Sequence, residues 1–299
     1  MKRIVTVPLQ KLPFNRSDRD YPMKLAMDVA EKKLRPAIRT SWNPALSMLI
    51  TSCWADNSLL RPSLQRVLAS LSMIMTAEGF IVSPSMATTA TTNRCRSDGV
   101  LSAPGALWRR VETAPNSIMI GEVLGEGAYA VVHKCMFKGG AAALKIFRTT
   151  AKDGRTAEES AFKEIEMSFA LRHPNIIGLY AWTRVKAKVT QIGMVIELAS
   201  GGNLRTLYQD SNKFTYGIGL NVALCVAKGL EYMHSMPSPV VHRDIKSMNV
   251  MIMADGVTAK IGDCGESRRV VSVSCLFLLI LPVLSMWRSG LMRRAHCRI

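Results

Sequence analysis

The amino-acid sequence predicts an α+β fold, and three observations support this. Residues 118–267 alternate strand-like runs with runs of helical periodicity, whereas residues 21–75 carry helical periodicity alone. The chain has 299 residues, of which 48% are hydrophobic and 20% are charged. Such a composition indicates a globular protein with enough apolar material for a sizeable core in one or two domains.

Four strands are predicted within the alternating region. The stretch SIMIGEVLGEGAYAVVHKCMF (117–137) contains two strand-like runs separated by glycines, and AAALKIF (141–147) contains a third. The stretch TQIGMVIELA (190–199) is a further apolar run of strand length. These runs supply the β part of the predicted fold.

Helices are predicted between and before these strands. One covers residues 156–172, where Thr156 and Glu159 have capping-box spacing, and a buried one covers residues 219–234. Residues 21–75 contain two apolar faces at helical spacing. These two faces consist of Leu46, Leu49, Ile50 and Cys53, and of Leu64, Val67, Leu68 and Leu71.

The chain divides into four regions. Residues 1–75 hold the first helices, and residues 76–117 include the Ser/Thr-rich stretch SPSMATTATTNRCRSDG, which is predicted to be a linker because it lacks periodicity. Residues 118–269 hold the alternating region. Residues 270–299 begin with an uncharged, largely apolar run that has arginines on both sides.

The net charge of +17 raises the question of an anionic partner. Six arginines and no acidic residue follow Ser267, and the remaining excess is dispersed without a basic run interleaved with aromatic residues. We therefore expect no nucleic-acid partner. A phosphate-rich small ligand or ordinary surface charge accounts for the excess equally well.

Cysteine usage and the first residues indicate the compartment. The seven cysteines include no CxxC pair, so we expect reduced thiols and neither a disulfide framework nor a zinc site. The stretch MKRIVTVPLQKLPFNRSDRD has no apolar run of signal-peptide length. A cytoplasmic location is expected, with membrane association through residues 270–287 as the alternative.

Three stretches carry residues suited to phosphate chemistry. Glycines 125 and 127 lie between two strands, where backbone N–H groups approach phosphate oxygens closely. Lys145 lies in an apolar strand, so a buried ammonium there needs an anionic partner, either Glu164 or a phosphate, unless it reaches solvent.

The third stretch is HRDIKSMN, which places Asp244, Lys246 and Asn249 within six residues. A carboxylate there is able to orient a hydroxyl proton, a lysine to neutralise a transferring phosphoryl group, and an asparagine to bind a metal ion. Fourteen residues after Asn249, Asp263 in KIGDCGES supplies a second oxygen ligand of the type that magnesium prefers.

The ordered set of these motifs resembles a protein kinase, most closely the tyrosine-kinase-like group, whose members mostly phosphorylate Ser and Thr. The lysine at position 246, two residues after Asp244, resembles the pattern of serine/threonine kinases more than that of tyrosine kinases. The resemblance implies a two-lobe fold with a β-rich N-lobe and a helical C-lobe, and the C-lobe is incomplete here. It also implies ATP and Mg2+ as cofactors and proteins as substrates.

The resemblance assigns roles by position. It implies Asp244, Lys246, Lys145 and Glu164 as catalytic residues, and Asn249 and Asp263 as metal ligands. Ile196 falls at the gatekeeper position, and Ala130 stands where the family has its third glycine. The implied ATP-binding residues are Leu124, Gly125, Glu126, Gly127, Ala128, Tyr129, Ala130, Val131, Val132, Ala143, Lys145, Glu197, Ala199 and Met251.

One departure from the family pattern is Cys264, which replaces the phenylalanine that follows the metal-binding aspartate. The smaller thiol fills less space, and Ser168 reduces the same packing further, so a less rigid active state is expected. Cys264 is either a small buried hydrophobic residue or a modifiable thiol.

A second resemblance covers residues 28–71. The stretch CWADNSLLRPS is similar to the last helices of a tyrosine-kinase-like C-lobe, in which the arginine equivalent to Arg61 pairs with the glutamate of an Ala-Pro-Glu motif. No such motif occurs in this sequence. The order suggests the tail of one kinase followed by the start of another; alternatively, residues 21–75 fold back and complete their own C-lobe.

The apolar run at residues 270–287 has three open explanations. Kinase-like sequence stops at Arg269, which suggests a misread or retained intron in a truncated tandem kinase. Alternatively, 18 uncharged residues are at the short edge of what spans a bilayer, or they form a buried core helix. Three functions are open for the chain: a protein serine/threonine kinase, an ATP-binding pseudokinase without turnover, and a fragment tethered to a membrane through residues 270–287.

Overall fold

The computed structural model describes two compact units. The sheet unit comprises the described residues of Ile81–Ser200 together with Gly262–Ser267, and the helical unit comprises those of Met1–Phe80, Gly201–Ile261 and Arg268–Ile299. The described residues are 31–33, 35, 38, 42–80, 104–148, 157–185, 190–210 and 212–270.

The sheet unit is built on one antiparallel sheet of five strands. The strands are β1 (Ile118–Glu126), β2 (Ala130–Phe137), β3 (Gly140–Phe147), β4 (Leu179–Val185) and β5 (Gln191–Glu197). Their order in the sheet is β1-β2-β3-β5-β4. A two-residue turn at Lys138 and Gly139 joins β2 to β3, and both residues have positive φ, as the right-handed twist of a tight hairpin requires.

Helix α3 (Ala157–Ala170) follows β3 and precedes β4 in the sequence, and it packs on this sheet. Its buried residues include Ala161 and Ile165, which join Phe147, Trp182 and Met194 of the strands in a single hydrophobic cluster. Helix α3 corresponds to the helix predicted over residues 156–172, and the proposed cap residue 156 lies outside the described residues. Strand β4 was not predicted.

The helical unit centres on α5 (Tyr216–His234), in which Thr215 is the N-cap and accepts a hydrogen bond from the N–H of Ile218. Ten of its 19 residues are buried, so the helix is covered on more than one side. A short helix, α4 (Leu204–Gln209), precedes it. Small strands follow: β6 (Val240–Val241), β7 (Val250–Ile252), β8 (Ala259–Ile261) and β9 (Arg268–Arg269).

Two helices from the beginning of the chain belong to the same unit. Helix α1 (Pro44–Cys53) is capped by Asn43, and α2 (Leu64–Ala77) is capped by Ser63. Helix α2 packs against α5, with the amide of Gln65 donating to a carboxylate oxygen of Glu231 at 3.3 Å. The buried residues of α2 are Leu64, Val67, Leu71, Ile74 and Met75.

The end of α2 is held by an aromatic contact. The ring of Phe80 lies 5.9 Å from that of Tyr216, centroid to centroid, and covers Gly217 at the beginning of α5. Burial raises the pKa of Tyr216 to about 12, and the nearby carboxylate of Glu78 adds to the rise. The first turn of α5 is therefore packed against the residues that follow α2.

The α+β class is confirmed, since a β-rich unit and a helical unit are both present. The region assigned as a linker, residues 76–117, differs from expectation at both ends. Helix α2 runs to Ala77, and residues 104–117, which include the 3-10 helices Pro104–Val111 and Pro115–Ser117, belong to the sheet unit. Residues 81–103 lie outside the described residues.

The contact between Phe80 and Gly217 predicts a coupled effect on stability. A Cβ added at Gly217 would lie 2.5 Å from a carbon of the Phe80 ring, so Gly217→Ala displaces that ring. In a Phe80→Ala background the same substitution meets no ring and keeps the helix-propensity advantage of alanine, roughly 0.5–1 kcal/mol. We expect a coupling energy of roughly 0.5–3 kcal/mol in a double-mutant cycle of denaturant unfolding. Additive effects would show that the two residues do not meet.

Candidate active site

The hairpin of β1 and β2 presents its glycines to open space. Gly125 pairs with Val132, and the N–H of Gly127 donates to the carbonyl of Ala130 at 2.8 Å. Among the described residues, a Cβ on Gly125 would meet no atom within 4 Å, and one on Gly127 would meet only the Ala130 carbonyl, at 3.6 Å. Packing therefore does not require glycine at these positions, and close approach of a ligand to the backbone is a physical reason for it. The whole stretch from Leu124 to Tyr129 is exposed.

The sheet register brings several predicted ATP-binding residues to one face. Lys145 pairs directly with Val132 on one side and with Met194 on the other, and Ala143 pairs with Ile196. Directly paired residues of antiparallel strands share a face, as do residues two apart in one strand. Val132, Ala143, Lys145 and Ile196 therefore lie on the same face of the sheet.

Lys145 lies between two carboxylates. Its ammonium Nζ is 2.6 Å from Oε1 of Glu164 in α3 and 2.9 Å from Oδ1 of Asp263. The side chains of Lys145 and Glu164 are 15% and 8% exposed, whereas that of Asp263 is 47% exposed. The three side chains form the lysine cluster, in which two formal negative charges meet one positive charge.

The electrostatics of the lysine cluster favour a charged lysine. Burial alone lowers the pKa of Lys145, but attraction to Glu164 and Asp263 outweighs burial and raises the pKa above its usual value. Lys145 is thus an ammonium at any physiological pH. The surplus negative charge and the exposed carboxylate of Asp263 suit a hard cation such as Mg2+, which takes oxygen ligands.

The backbone around Asp263 is arranged to bring it to Lys145. Asp263 has φ 59° and ψ 66°, a left-handed conformation that aspartate tolerates better than most residues. A Cβ on Gly265 would lie 3.0 Å from Oε2 of Glu164, so glycine lets this turn approach α3 closely. Sequence reasoning did not identify Gly265, although it lies two residues after Asp263 in the motif that was singled out.

Cys264 is a buried thiol, which favours the first of its two interpretations. Only 5% of the residue is exposed. Burial raises the pKa of Cys264 to about 12, and the negative charges of Glu164 and Asp263 contribute to the rise. The thiol form is thereby stabilised, and this form is the unreactive one.

This pKa predicts slow alkylation of Cys264 in the folded chain. At pH 8 a pKa of about 12 leaves roughly a thousandfold less thiolate than the ordinary value of 9.0. We expect iodoacetamide to label Cys264 at least about a hundredfold more slowly in the native chain than in the same chain unfolded in urea, as measured by peptide mass spectrometry. Equal rates in the two states would contradict the buried environment.

In the helical unit, residues 240–253 form a loop held by two small sheets. β6 pairs with β9, and β7 pairs with β8. His242 is fully buried, and its Nδ1 accepts a hydrogen bond from the N–H of Asp244 at 3.3 Å. Arg243 has φ 70°, so it also adopts a left-handed conformation. His242 was not among the predicted site residues.

Asp244, Lys246 and Asn249 form the aspartate cluster. Oδ2 of Asp244 accepts hydrogen bonds from Nζ of Lys246 at 2.6 Å and from the amide of Asn249 at 2.9 Å. The same amide of Asn249 donates to the carbonyl of Asp244 at 2.8 Å. Asn249 is buried, so the orientation of the carboxylate is fixed on one oxygen, and Oδ1 receives no hydrogen bond from the described residues.

The remaining predicted residues lie at the end of β5, just after it, and in β7. The N–H of Glu197 donates to the carbonyl of Gly178 at 2.9 Å, and its carboxylate accepts from the N–H of the same glycine at 3.2 Å. Ala199 follows β5 and is partly buried, and Met251 is the partly buried centre of β7. The lysine cluster belongs to the sheet unit and the aspartate cluster to the helical unit.

The apolar run at residues 270–287 lies outside the described residues, apart from Val270, whose N–H donates to the carbonyl of Pro239. Within the described part of the chain, no helix has the length and hydrophobicity needed to cross a bilayer.

Comparison with known proteins identifies the family. Residues 118–279 match the protein kinase domain family. A seven transmembrane domain-containing tyrosine-protein kinase of Dictyostelium discoideum is 33% identical over 162 residues, which are 51% of this chain and 23% of that protein. The serine/threonine-protein kinase VIK of Arabidopsis thaliana is 28% identical over 162 residues, which are 54% of this chain and 36% of that protein.

A third relative is the mouse serine/threonine-protein kinase TNNI3K, which is 29% identical over 153 residues, 51% of this chain and 18% of that protein. The chain thus spans about a third or less of the length of these relatives. Since the family match itself extends over residues 118–279, more than half of the 299 residues, the chain belongs to the protein kinase family.

Proposed function

We propose that this chain is a protein serine/threonine kinase of the tyrosine-kinase-like group, which transfers the γ-phosphoryl group of ATP to Ser and Thr hydroxyls of proteins. The observation that carries the proposal is the aspartate cluster, in which Lys246 and Asn249 hold one oxygen of Asp244. Relatives named as serine/threonine kinases support the residue specificity, and one relative named as a tyrosine kinase makes it worth testing.

The proposed roles follow from charge and hydrogen bonding. The exposed hairpin glycines and the ammonium of Lys145 bind ATP phosphates, while Val132, Ala143 and Met251 contact the adenine ring. Asn249 and Asp263 are the proposed ligands of Mg2+, which when bound neutralises charge on the phosphates. Glu164 keeps Lys145 charged and oriented.

Asp244 is the proposed base. With Oδ2 held by two donors, Oδ1 is oriented to accept the hydrogen bond of a substrate hydroxyl and to receive its proton as the phosphoryl group is transferred. Lys246 lies close enough to the same carboxylate to neutralise the transferring phosphoryl group. Positioning of this kind provides most of the rate acceleration in phosphoryl transfer.

The Asp244→Asn variant tests this function, since it keeps the shape of the side chain and removes its charge. We expect transfer of labelled phosphate from ATP to a generic basic protein to fall at least about a hundredfold. The Asp210→Asn variant, which changes an exposed carboxylate in the same unit, should keep wild-type activity. Phosphoamino-acid analysis should find phosphoserine and phosphothreonine.

Equal turnover by wild type and Asp244→Asn would refute the kinase proposal, and phosphotyrosine alone would refute the Ser/Thr specificity. Thermal stabilisation by Mg-ATP, lost in Lys145→Met, together with no turnover in any variant, would identify an ATP-binding pseudokinase instead. Recovery of the chain only in membranes after lysis would favour a membrane-associated protein over a cytoplasmic one.

We also propose that α1 and α2 complete the helical unit of this same chain, in place of being the tail of a separate kinase. The support is the packing of α2 on α5, with Gln65 beside Glu231 and Phe80 over Gly217. The stretch of about 23 residues at 81–103 that joins the two described parts is long enough to span tens of ångströms.

An isotope-mixing experiment distinguishes contacts within one chain from contacts between copies. The Gln65→Lys variant places an amine beside the carboxylate of Glu231, where a carbodiimide joins the two side chains. In an equal mixture of light and heavy-isotope chains, we expect cross-linked peptide pairs that are all light or all heavy. Mixed pairs would show exchange between copies, and no cross-link would refute the packing of α2 on α5.

A further inference from the structure

The 104–117 segment precedes the kinase family match and yet belongs to the sheet unit. It lies along the edge of the sheet at which β4 is the last strand. Glu112 forms a parallel bridge with Trp182 of β4, and the N–H of Thr113 donates to the Trp182 carbonyl at 2.8 Å. The indole N–H of Trp182 donates in turn to the carbonyl of Trp108 at 3.1 Å.

Trp108 fills the space between β4 and α3. Its ring centroid is 5.0 Å from that of Phe162 in α3 and 5.6 Å from that of Trp182, and these last two rings meet edge to face at 5.2 Å. Only 7% of Trp108 is exposed. Three mutually contacting aromatic side chains bury a large area and favour one arrangement, since offset and edge-to-face geometries are preferred.

Charged groups reinforce the same junction. The guanidinium of Arg184 in β4 lies 2.9 Å from a carboxylate oxygen of Glu158 in α3 and 3.9 Å from one of Glu112 in the 104–117 segment. It also lies over the rings of Phe162 and Trp182. One side chain therefore ties the segment, the strand and the helix together.

Helix α3 also carries Glu164, the buried partner of Lys145. Phe162 and Glu164 lie in the same turn of α3. When the Trp108 side chain is removed, the helix is able to move at Phe162 into the space left behind. Glu164 then moves with the helix relative to β3. We propose that the 104–117 segment sets the position of α3, and that Trp108 is a positioning residue for the Lys145–Glu164 pair. This inference rests on the proposed function only insofar as the pair serves ATP binding.

The test compares Trp108→Ala, Trp108→Phe and Phe137→Ala in the full-length chain. Phe137 is as buried as Trp108 but belongs to a second cluster of the sheet unit, which contains no residue of α3. Phe137→Ala therefore controls for general loss of stability. Hydrogen exchange of the α3 amides reports how often the helix opens where it packs on the sheet, and it requires no turnover.

We expect Trp108→Ala to increase exchange of the α3 amides at least tenfold, Trp108→Phe to restore protection to within about threefold, and Phe137→Ala to leave it near wild type. Where wild type has kinase activity, Trp108→Ala should also raise the KM for ATP more than the KM for the protein substrate. Equal exchange in the two alanine variants, or no change in either, would overturn the proposal. Absence of wild-type turnover would bear on the proposed function and leave the exchange result valid.

Discussion

The contact of the Lys145 ammonium, on a side chain only 15% exposed, with two carboxylates is the interaction on which the sheet unit depends. A buried charge is tolerable only with partners in good geometry, and removing one partner of such a pair costs about 3–5 kcal/mol. Three separate pieces of chain must therefore converge: β3 brings the lysine, α3 brings Glu164, and the turn at residues 263–266 brings Asp263. The left-handed backbone of Asp263 and the missing side chain of Gly265 are local consequences of that convergence.

The aspartate cluster also holds a carboxylate in a fixed orientation, but it does so with local contacts. Its members lie within six residues, and a single 3-10 turn at Ser247–Asn249 is enough to bring Asn249 back to Asp244. Because no distant element is needed to form these hydrogen bonds, the orientation of Asp244 depends mainly on its own loop and on the buried ring of His242. One cluster is thus sensitive to the packing of a helix on a sheet, and the other to the conformation of a short loop.

The sequence predicted most of what local patterns determine. The strands around the glycines, the lysine strand, helix α3 and helix α5 all occur where periodicity placed them, and Lys145 meets Glu164 as charge pairing suggested. Strand β4 escaped prediction because LYAWTRV mixes apolar and polar residues without clean alternation. Trp108 escaped it because its role depends on two aromatic residues more than fifty positions away, and a single tryptophan in an irregular stretch carries no such signal.

The packing of α2 on α5 has a consequence for synthesis of the chain. About 140 residues separate the end of α2 from the start of α5. At roughly 5–20 residues per second on the ribosome, synthesis of α5 begins about 7–28 seconds after synthesis of α2 ends. Closure of so long a loop is entropically costly before its contacts form, so we expect the packing of α2 on α5 to form slowly. The nascent chain therefore passes through an interval in which the buried residues of α2, among them Val67, Leu71 and Ile74, are without the helix that covers them.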